Sequence, residues 1–190
     1  MAVRKDYTFF ECCKTPEIAC ELTMQPIRRF KGLLDAAIIF CDILVVPEAM
    51  GLTVEMNPAP SLPNPIRTPE DLARLPKFVD VNKELGYVFE AVNLTRRTLQ
   101  GEVPLIGFCG APWTLMAYMV EGGGSKTYQK AKEWLYRWPE ASEELLSRIA
   151  AVCVDLLVGQ VLAGAQVRDM QRPGMTPRFP YHDLILRVCL

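Results

Sequence analysis

One sixteen-residue stretch decides the fold: Gly107-Phe108-Cys109-Gly110-Ala111-Pro112-Trp113-Thr114-Leu115-Met116-Ala117-Tyr118-Met119-Val120-Glu121-Gly122. The apolar run over residues 103–109 predicts a short buried strand that ends in small residues. Pro112 then favours the first turn of a helix, and that helix carries aromatic side chains. Small residues at the point where a strand gives way to a helix leave room for a ligand.

Helices and strands alternate on both sides of this stretch. Thr15-Pro16-Glu17 and Thr68-Pro69-Glu70-Asp71 each combine a capping hydroxyl, a proline and acid, which predicts that a helix starts at each. Residues 36–46 form an apolar run, which predicts a parallel strand covered on both faces. The four prolines of residues 57–65 predict an extended loop.

The apolar spacing downstream predicts three further helices, over residues 82–99, 126–137 and 140–164. The resulting order of strand, helix, strand and helix predicts a parallel α/β architecture. Both a barrel and a doubly wound sheet have this order, and both place functional groups at the C-terminal ends of their strands.

Composition argues against several classes of function. The 190 residues carry 21 Lys and Arg against 22 Asp and Glu, a net charge of -1, so we expect no nucleic acid partner. Seven cysteines without a repeated Cys-x-x-Cys indicate reduced thiols in a cytoplasmic protein. We expect no export signal, because residues 1–6 have no apolar stretch after their basic residues. We expect no membrane anchor either, because the longest apolar stretch, residues 149–165, contains Asp155 and predicts a buried helix.

The pattern changes after Val167. Residues 168–180 contain three prolines, few apolar side chains and no periodicity. We therefore predict a boundary at this point, with a folded region over residues 1–167 and a disordered tail over residues 168–190.

Asp42 is a carboxylate inside the apolar run 36–46, where an unpaired charge would be costly. It must be neutralised, hydrogen-bonded or exposed at a site. Pairing with Arg28 or Arg29 would make it a structural residue, whereas its place near a strand end favours a functional one. The role of Tyr118 is equally undecided from the sequence, because a core tyrosine with a satisfied hydroxyl fits its position as well as a site residue does.

Two other motifs have simpler explanations. The run Gly122-Gly123-Gly124-Ser125-Lys126-Thr127 lacks the Lys directly after Gly that a phosphate-binding loop requires, so it predicts a turn into a helix rather than a nucleotide site. Cys12, Cys13 and Cys20 with the distant His182 lack the spacing of zinc ligands, so we expect no metal and a solvated imidazole.

The stretch 107–122 closely resembles the second signature of the uroporphyrinogen decarboxylases, a family of haem synthesis. That signature has Gly-Phe, two small residues, any residue, Pro, an aromatic residue, Thr-Leu, two variable residues, Tyr, two more and Glu-Gly. Every fixed position matches. Residues 21–30, 35–47 and 84–89 resemble the same family in the same order, and the resemblance runs over about residues 4–167.

The resemblance implies an α/β fold, an incomplete (β/α)8 TIM barrel, that acts without a cofactor or a metal. The family removes CO2 from the four acetate side chains of uroporphyrinogen to give coproporphyrinogen, and it works as a cytoplasmic homodimer. By position, Asp42 corresponds to the aspartate that accepts hydrogen bonds from the pyrrole N–H groups. Tyr118 corresponds to the tyrosine near the reacting acetate, and Arg4 lies where the family has an arginine near the substrate.

The sequence also departs from the family's pattern. The first signature, with two substrate-binding arginines, is expected before Arg4 and is missing. After Val167 the family continues into a strand ending in Phe, an acid and Ser, whereas Arg168-Asp169-Met170-Gln171 stands here, so that serine and a late histidine are missing as well. We therefore expect a truncated uroporphyrinogen decarboxylase. The alternative is a catalytically silent isoform that pairs with the full-length subunit or is degraded.

Overall fold

The computed structural model describes residues 6–39, 41–56 and 59–171. Its helices are α1 (Phe9–Lys14), α2 (Pro16–Arg29), α3 (Val45–Ala49), the 3₁₀ helix Pro69–Arg74, α4 (Val81–Leu99), α5 (Pro112–Glu121), α6 (Gln129–Arg137) and α7 (Pro139–Leu162). Its strands are β1 (Ala37–Ile38), β2 (Glu55–Met56), β3 (Pro60–Ser61), β4 (Leu105–Gly110) and β5 (Val167–Gln171). The chain divides into two compact units, and each is described by itself.

The first unit contains the residues up to Asp42, residues 81–109 and residues 156–170. Its three-stranded sheet has the order β1-β4-β5, so β4 is central. β1 and β4 are parallel, with Ala37 opposite Leu105. Parallel pairing places the carboxyl ends of these two strands at the same edge of the sheet.

An apolar core forms where α2 and α4 pack together and α2 contacts β1. The buried side chains of this core are Ala19, Cys20, Met24, Ile27, Ala37, Ile39, Ala91, Val92, Leu99, Leu105 and Ala165. The missing side chain of Gly107 leaves room for the buried Gln160 of α7, because a Cβ there would lie 2.2 Å from its Oε1. Gln160 Nε2 donates to the carbonyl of Phe108 at 3.0 Å, which ties the end of α7 to β4.

The second unit contains residues 43–80 and 110–155. β2 and β3 pair antiparallel, and α5 packs against α3 and α6. The end of the 3₁₀ helix is held by Arg148 of α7, whose guanidinium donates to the carbonyls of Leu72 at 3.2 Å, Leu75 at 2.6 Å and Pro76 at 2.8 Å. A single guanidinium, 17% exposed, thus donates to three carbonyls at the end of the short helix and just beyond it.

Several predicted elements are confirmed. A helix begins at Pro16 and a 3₁₀ helix at Pro69, where the Asp71 carboxylate accepts from the N–H of Thr68 at 3.1 Å. The predicted helices over 82–99, 126–137 and 140–164 correspond to α4, α6 and α7, and the strand over 103–109 corresponds to β4. The six cysteines among the described residues are buried, and none of these six forms a disulfide.

The strand predicted over residues 36–46 is wrong in two respects. β1 is only two residues long, and Ile38 is 49% exposed, so this strand is not covered on both faces. The last two residues of the run, Val45 and Val46, begin the short helix α3. Proline lacks the N–H that an interior helical position needs, but it is tolerated in the first turn, where Pro47 lies.

The loop predicted over residues 57–65 is also partly structured, since β3 lies within it. β5 runs from Val167 to Gln171 and so crosses the predicted boundary. The prediction that regular structure ends at Val167 is therefore wrong for residues 168–171. Residues 172–190 lie outside the described residues. The division into residues 1–167 and 168–190 stays a prediction.

Within the described part of the chain, α7 is the one helix that is long and apolar enough to cross a membrane by length and composition. Of its most apolar 18-residue window, 44% is buried. Core helices of soluble proteins pass the same test, and the buried side chains of α7 include Ile149, Cys153 and Leu156. One face of this helix is therefore core, as the sequence predicts, while Leu162 at its end is 82% exposed.

Candidate active site

Asp42 lies in the first unit, in the segment that follows β1. It is only 8% exposed, and two thiols contact its main chain. The Cys41 thiol donates to the main-chain carbonyl of Asp42, with 3.7 Å between sulfur and oxygen. The main-chain N–H of Asp42 donates to the sulfur of Cys13 at the end of α1.

These thiols are protonated at physiological pH. Burial, and to a smaller extent the negative charge of Asp42, raise the pKa of Cys13 to about 11. Burial also raises the pKa of Cys41 well above its usual value, with smaller contributions from Cys13, Cys109 and Asp42. These two neutral thiols therefore add no negative charge next to Asp42.

The alternative role for Asp42 was a pairing with Arg28 or Arg29. The Arg28 guanidinium instead pairs with Glu21 on the same helix, at 2.5 Å. The Arg29 guanidinium lies over the ring of Phe30, 5.6 Å from its centroid. In the structure, the neighbour of Arg28 is therefore Glu21 and that of Arg29 is Phe30, whereas the structural alternative pairs one of these arginines with Asp42.

Tyr118 lies in the second unit, on α5. Pro112 stands at the start of this helix, and almost every other side chain of the helix is buried, whereas Tyr118 is half-buried. Gly110 allows the helix to start close to the strand end, because a Cβ there would lie 2.6 Å from Cδ2 of Leu115. The small residues before α5 thus serve close packing, in addition to the ligand space that the sequence predicts.

The glycine-rich run after Tyr118 is a loop between two helices. Gly122 ends α5 with φ of 88°, and its N–H donates to the carbonyl of Tyr118 at 2.8 Å. The Glu121 carboxylate accepts from the N–H of Ala131 in the first turn of α6, at 3.2 Å. A helix therefore precedes this run where a phosphate-binding loop would have a strand, which agrees with the prediction of a turn.

Two of the predicted residues cannot be placed, because Arg4 and His182 lie outside the described residues. No group of three or more His, Cys, Asp and Glu side chains suited to a metal ion occurs in the described ranges. The sequence reasoning missed Cys13 and Cys41 as neighbours of Asp42. Cys41 adjoins Asp42 in sequence and could have been noticed, whereas Cys13 reaches it only through the packing of α1.

Comparison with known proteins shows the family. The sequence profile of the family described as uroporphyrinogen decarboxylase (URO-D) matches residues 1–183. The chain belongs to the uroporphyrinogen decarboxylase family. It is 62% identical over 160 residues to the uroporphyrinogen decarboxylase of Danio rerio, which covers 83% of this chain and 43% of that protein.

Other uroporphyrinogen decarboxylases are similarly close. The human protein is 60% identical over 164 residues, which covers 85% of this chain and 44% of the human one. The Schizosaccharomyces pombe protein is 58% identical over 167 residues, with coverage of 87% and 46%. The chain thus spans a little less than half the length of these uroporphyrinogen decarboxylases.

The fold is that of the family. A solved methyltransferase from Methanosarcina mazei superimposes with a TM-score of 0.67 at 23% identity, covering 84% of this chain and 46% of that chain. This likeness concerns the fold alone. Together with the family match, this likeness of fold identifies the architecture as part of a (β/α)8 barrel. Of the two architectures that the sequence predicts, the barrel is therefore correct and the doubly wound sheet is not.

Proposed function

We propose that this chain carries part of the active site of a uroporphyrinogen decarboxylase, which removes the carboxyl groups of four acetate side chains to give coproporphyrinogen. The observation that carries the proposal is the family match over residues 1–183, with about 60% identity to proteins of that name. The proposed carboxy-lyase needs no cofactor, because the substrate's own pyrrole rings can accept the electrons.

The proposed role of Asp42 follows from the chemistry of decarboxylation. Loss of CO2 leaves an electron pair from the broken C–C bond, and a pyrrole protonated at a ring carbon accepts that pair. Protonation makes the ring positive, and a carboxylate facing the ring N–H groups stabilises that charge. The burial of Asp42 supports this role, because a fixed charge acts more strongly where water is excluded.

Tyr118 is proposed to act at the acetate. Its hydroxyl can donate to the carboxylate or hold a water molecule in place, which fits a half-buried tyrosine better than an enclosed core residue. Arg4 is proposed to contact another carboxylate of the substrate, because a guanidinium pairs well with carboxylate groups. The part of the family's sequence that carries two further arginines is not present in these 190 residues.

The family's homodimer, its location in the cytoplasm and the truncated nature of this chain are part of the proposal. Six buried cysteines among the described residues, none of them in a disulfide, support a reducing compartment. The net charge of -1 supports the proposal that the chain binds no nucleic acid. The buried face of α7 supports the proposal that it binds no membrane.

The experiment is a decarboxylation assay with anaerobic uroporphyrinogen, read out by chromatography of the porphyrins. We expect the purified chain alone to work at background level, because the carboxylate-binding arginines and the distal strands are missing. A turnover within tenfold of an ordinary enzyme's roughly 10 per second would contradict this.

The same assay tests the alternative of a silent partner. The chain is titrated into the full-length Danio rerio protein at fixed enzyme concentration. Turnover that changes with the amount of added chain, together with co-elution of the two proteins, would favour a partner of the full-length subunit. Unchanged turnover and separate elution would remove that alternative.

A further inference from the structure

The last turn of α5, which carries Tyr118, is tied to an extended segment of the same unit. The final carbonyls of a helix lack partners within it. The N–H of Ile66 donates to one of them, the carbonyl of Met119, at 2.8 Å, and the N–H of Leu62 donates to the carbonyl of Gly122 at 2.9 Å. Both donors belong to buried residues, so two main-chain hydrogen bonds fix the helix end directly after Tyr118.

An arginine holds the other side of the same peptide group. The carbonyl of Pro65 and the N–H of Ile66 belong to a single planar peptide group. The Arg74 guanidinium donates to that carbonyl at 3.1 Å, while the N–H donates to Met119. This peptide group therefore connects Arg74 to the last turn of α5, and each of its two hydrogen bonds polarises the other.

Arg74 is itself fixed in place. It is the last residue of the 3₁₀ helix, and its Nε lies 3.5 Å from a carboxylate oxygen of Asp71. The Asp71 carboxylate also accepts from the N–H groups of Arg67 at 2.8 Å and Thr68 at 3.1 Å. The Arg74 guanidinium donates to the carbonyl of Asn64 as well, at 3.4 Å. These contacts hold the guanidinium against the segment, although 45% of the Arg74 side chain is exposed.

We propose that Arg74 is a positioning residue for the decarboxylation, which holds the Pro65–Ile66 peptide group so that the last turn of α5 presents Tyr118 to an acetate side chain of the substrate. This inference rests on the proposed function, in which Tyr118 acts at the acetate. Arg74 acts only through the peptide group and the helix end, and it takes no part in the chemistry.

The first arm of the test needs no substrate. NMR follows amide hydrogen exchange in the parent chain, in Arg74→Met, which removes the donors, and in Arg28→Met. Arg28 is the matched control, because it is similarly exposed and pairs with Glu21 in the first unit. We expect Arg74→Met to speed exchange of the Ile66 N–H about tenfold and Arg28→Met to leave it unchanged. Unchanged exchange in Arg74→Met would overturn the inference and leave the proposed function standing.

The second arm measures uroporphyrinogen affinity under anaerobic conditions in a double-mutant cycle of Arg74→Met and Tyr118→Phe, with circular dichroism to check folding. We expect Tyr118→Phe to weaken binding about tenfold and Arg74→Met about fivefold. The double variant should bind no more weakly than Tyr118→Phe, because Arg74 acts through that hydroxyl. Arg74→Lys, which keeps a charged donor for the Pro65 carbonyl, should bind like the parent chain.

Unchanged affinity in Arg74→Met would overturn the inference alone. Losses in the two single variants that simply add in the double variant would also overturn it, because Arg74 would then have a structural role independent of Tyr118. Failure of the parent chain to bind uroporphyrinogen at all would overturn the proposed function and, with it, this inference.

Discussion

At the residue scale, the environment of Asp42 has a consequence for pH. Cys13 and Cys41, which contact the Asp42 main chain, are protonated when folded because burial raises the pKa of both thiols. In the unfolded chain a cysteine titrates near its ordinary pKa of 9.0. The folded state therefore holds these protons more tightly, and the stabilisation is complete below pH 9 and is lost as the pH rises through the folded pKa.

We expect the unfolding free energy to fall between pH 9 and about 11, and to fall less steeply in a Cys13→Ala variant. Urea unfolding under reducing conditions at several pH values measures this slope. Lysines and tyrosines titrate in the same range, so the comparison between the two proteins isolates the contribution of Cys13. Identical slopes would show that the folded thiol titrates like a free one.

At the element scale, the junction of β4 and α5 depends on Gly110. A Cβ there would lie 2.6 Å from Cδ2 and 3.0 Å from Cγ of the fully buried Leu115. We expect Gly110→Ala to destabilise the chain by about 1 to 3 kcal/mol, because a packed core resists an added methyl group. Chemical unfolding measures this, with circular dichroism to show that the variant folds.

Gly86 in α4 is the matched control, because nothing lies within 4 Å of a Cβ added there. Alanine favours a helix interior over glycine, so we expect Gly86→Ala to stabilise by roughly 0.5 to 1 kcal/mol. A Gly110→Ala variant as stable as the parent would mean that Leu115 has room to move away from the strand end.

The same elements show how far the sequence predicts the fold. Helices with caps and clear spacing, such as α2 and α4, were predictable because their signals are local. The structure of residues 36–46 was not predictable, because an apolar run without alternation fits a buried strand and a buried helix equally. Here the run contains β1 and the first two residues of α3. Packing, rather than local preference, decides between them.

The candidate site was predictable to a similar degree. A carboxylate within an apolar run identifies Asp42 from the sequence alone, because burial of an unpaired charge is costly. The thiol of Cys13 could not be associated with it, since the two are brought together by the packing of α1.

At the scale of the whole molecule, the sequence pattern predicts that residues 1–167 fold as a unit and that the residues beyond β5 do not. Chymotrypsin can cut after Tyr181 in that region, and after Phe108 and Tyr118 within residues 107–122. We expect cleavage at Tyr181 well before cleavage at Phe108 or Tyr118, because proteolysis requires local unfolding and residues 107–122 are largely buried. Limited proteolysis followed by intact mass measures the order. Equal resistance of the two regions would mean that the tail is docked as ordered structure.

The central claim is that this chain retains the part of a uroporphyrinogen decarboxylase site in which Asp42 recognises the pyrrole N–H groups. Its most direct test is the equilibrium affinity of the chain for uroporphyrinogen, with Asp42→Asn compared to Asp35→Asn, a change at an exposed aspartate before the same strand. We expect binding by the parent chain, a loss of roughly tenfold or more in Asp42→Asn, and unchanged affinity in Asp35→Asn. Equal affinity of the parent chain and Asp42→Asn, with both folded, would contradict the account.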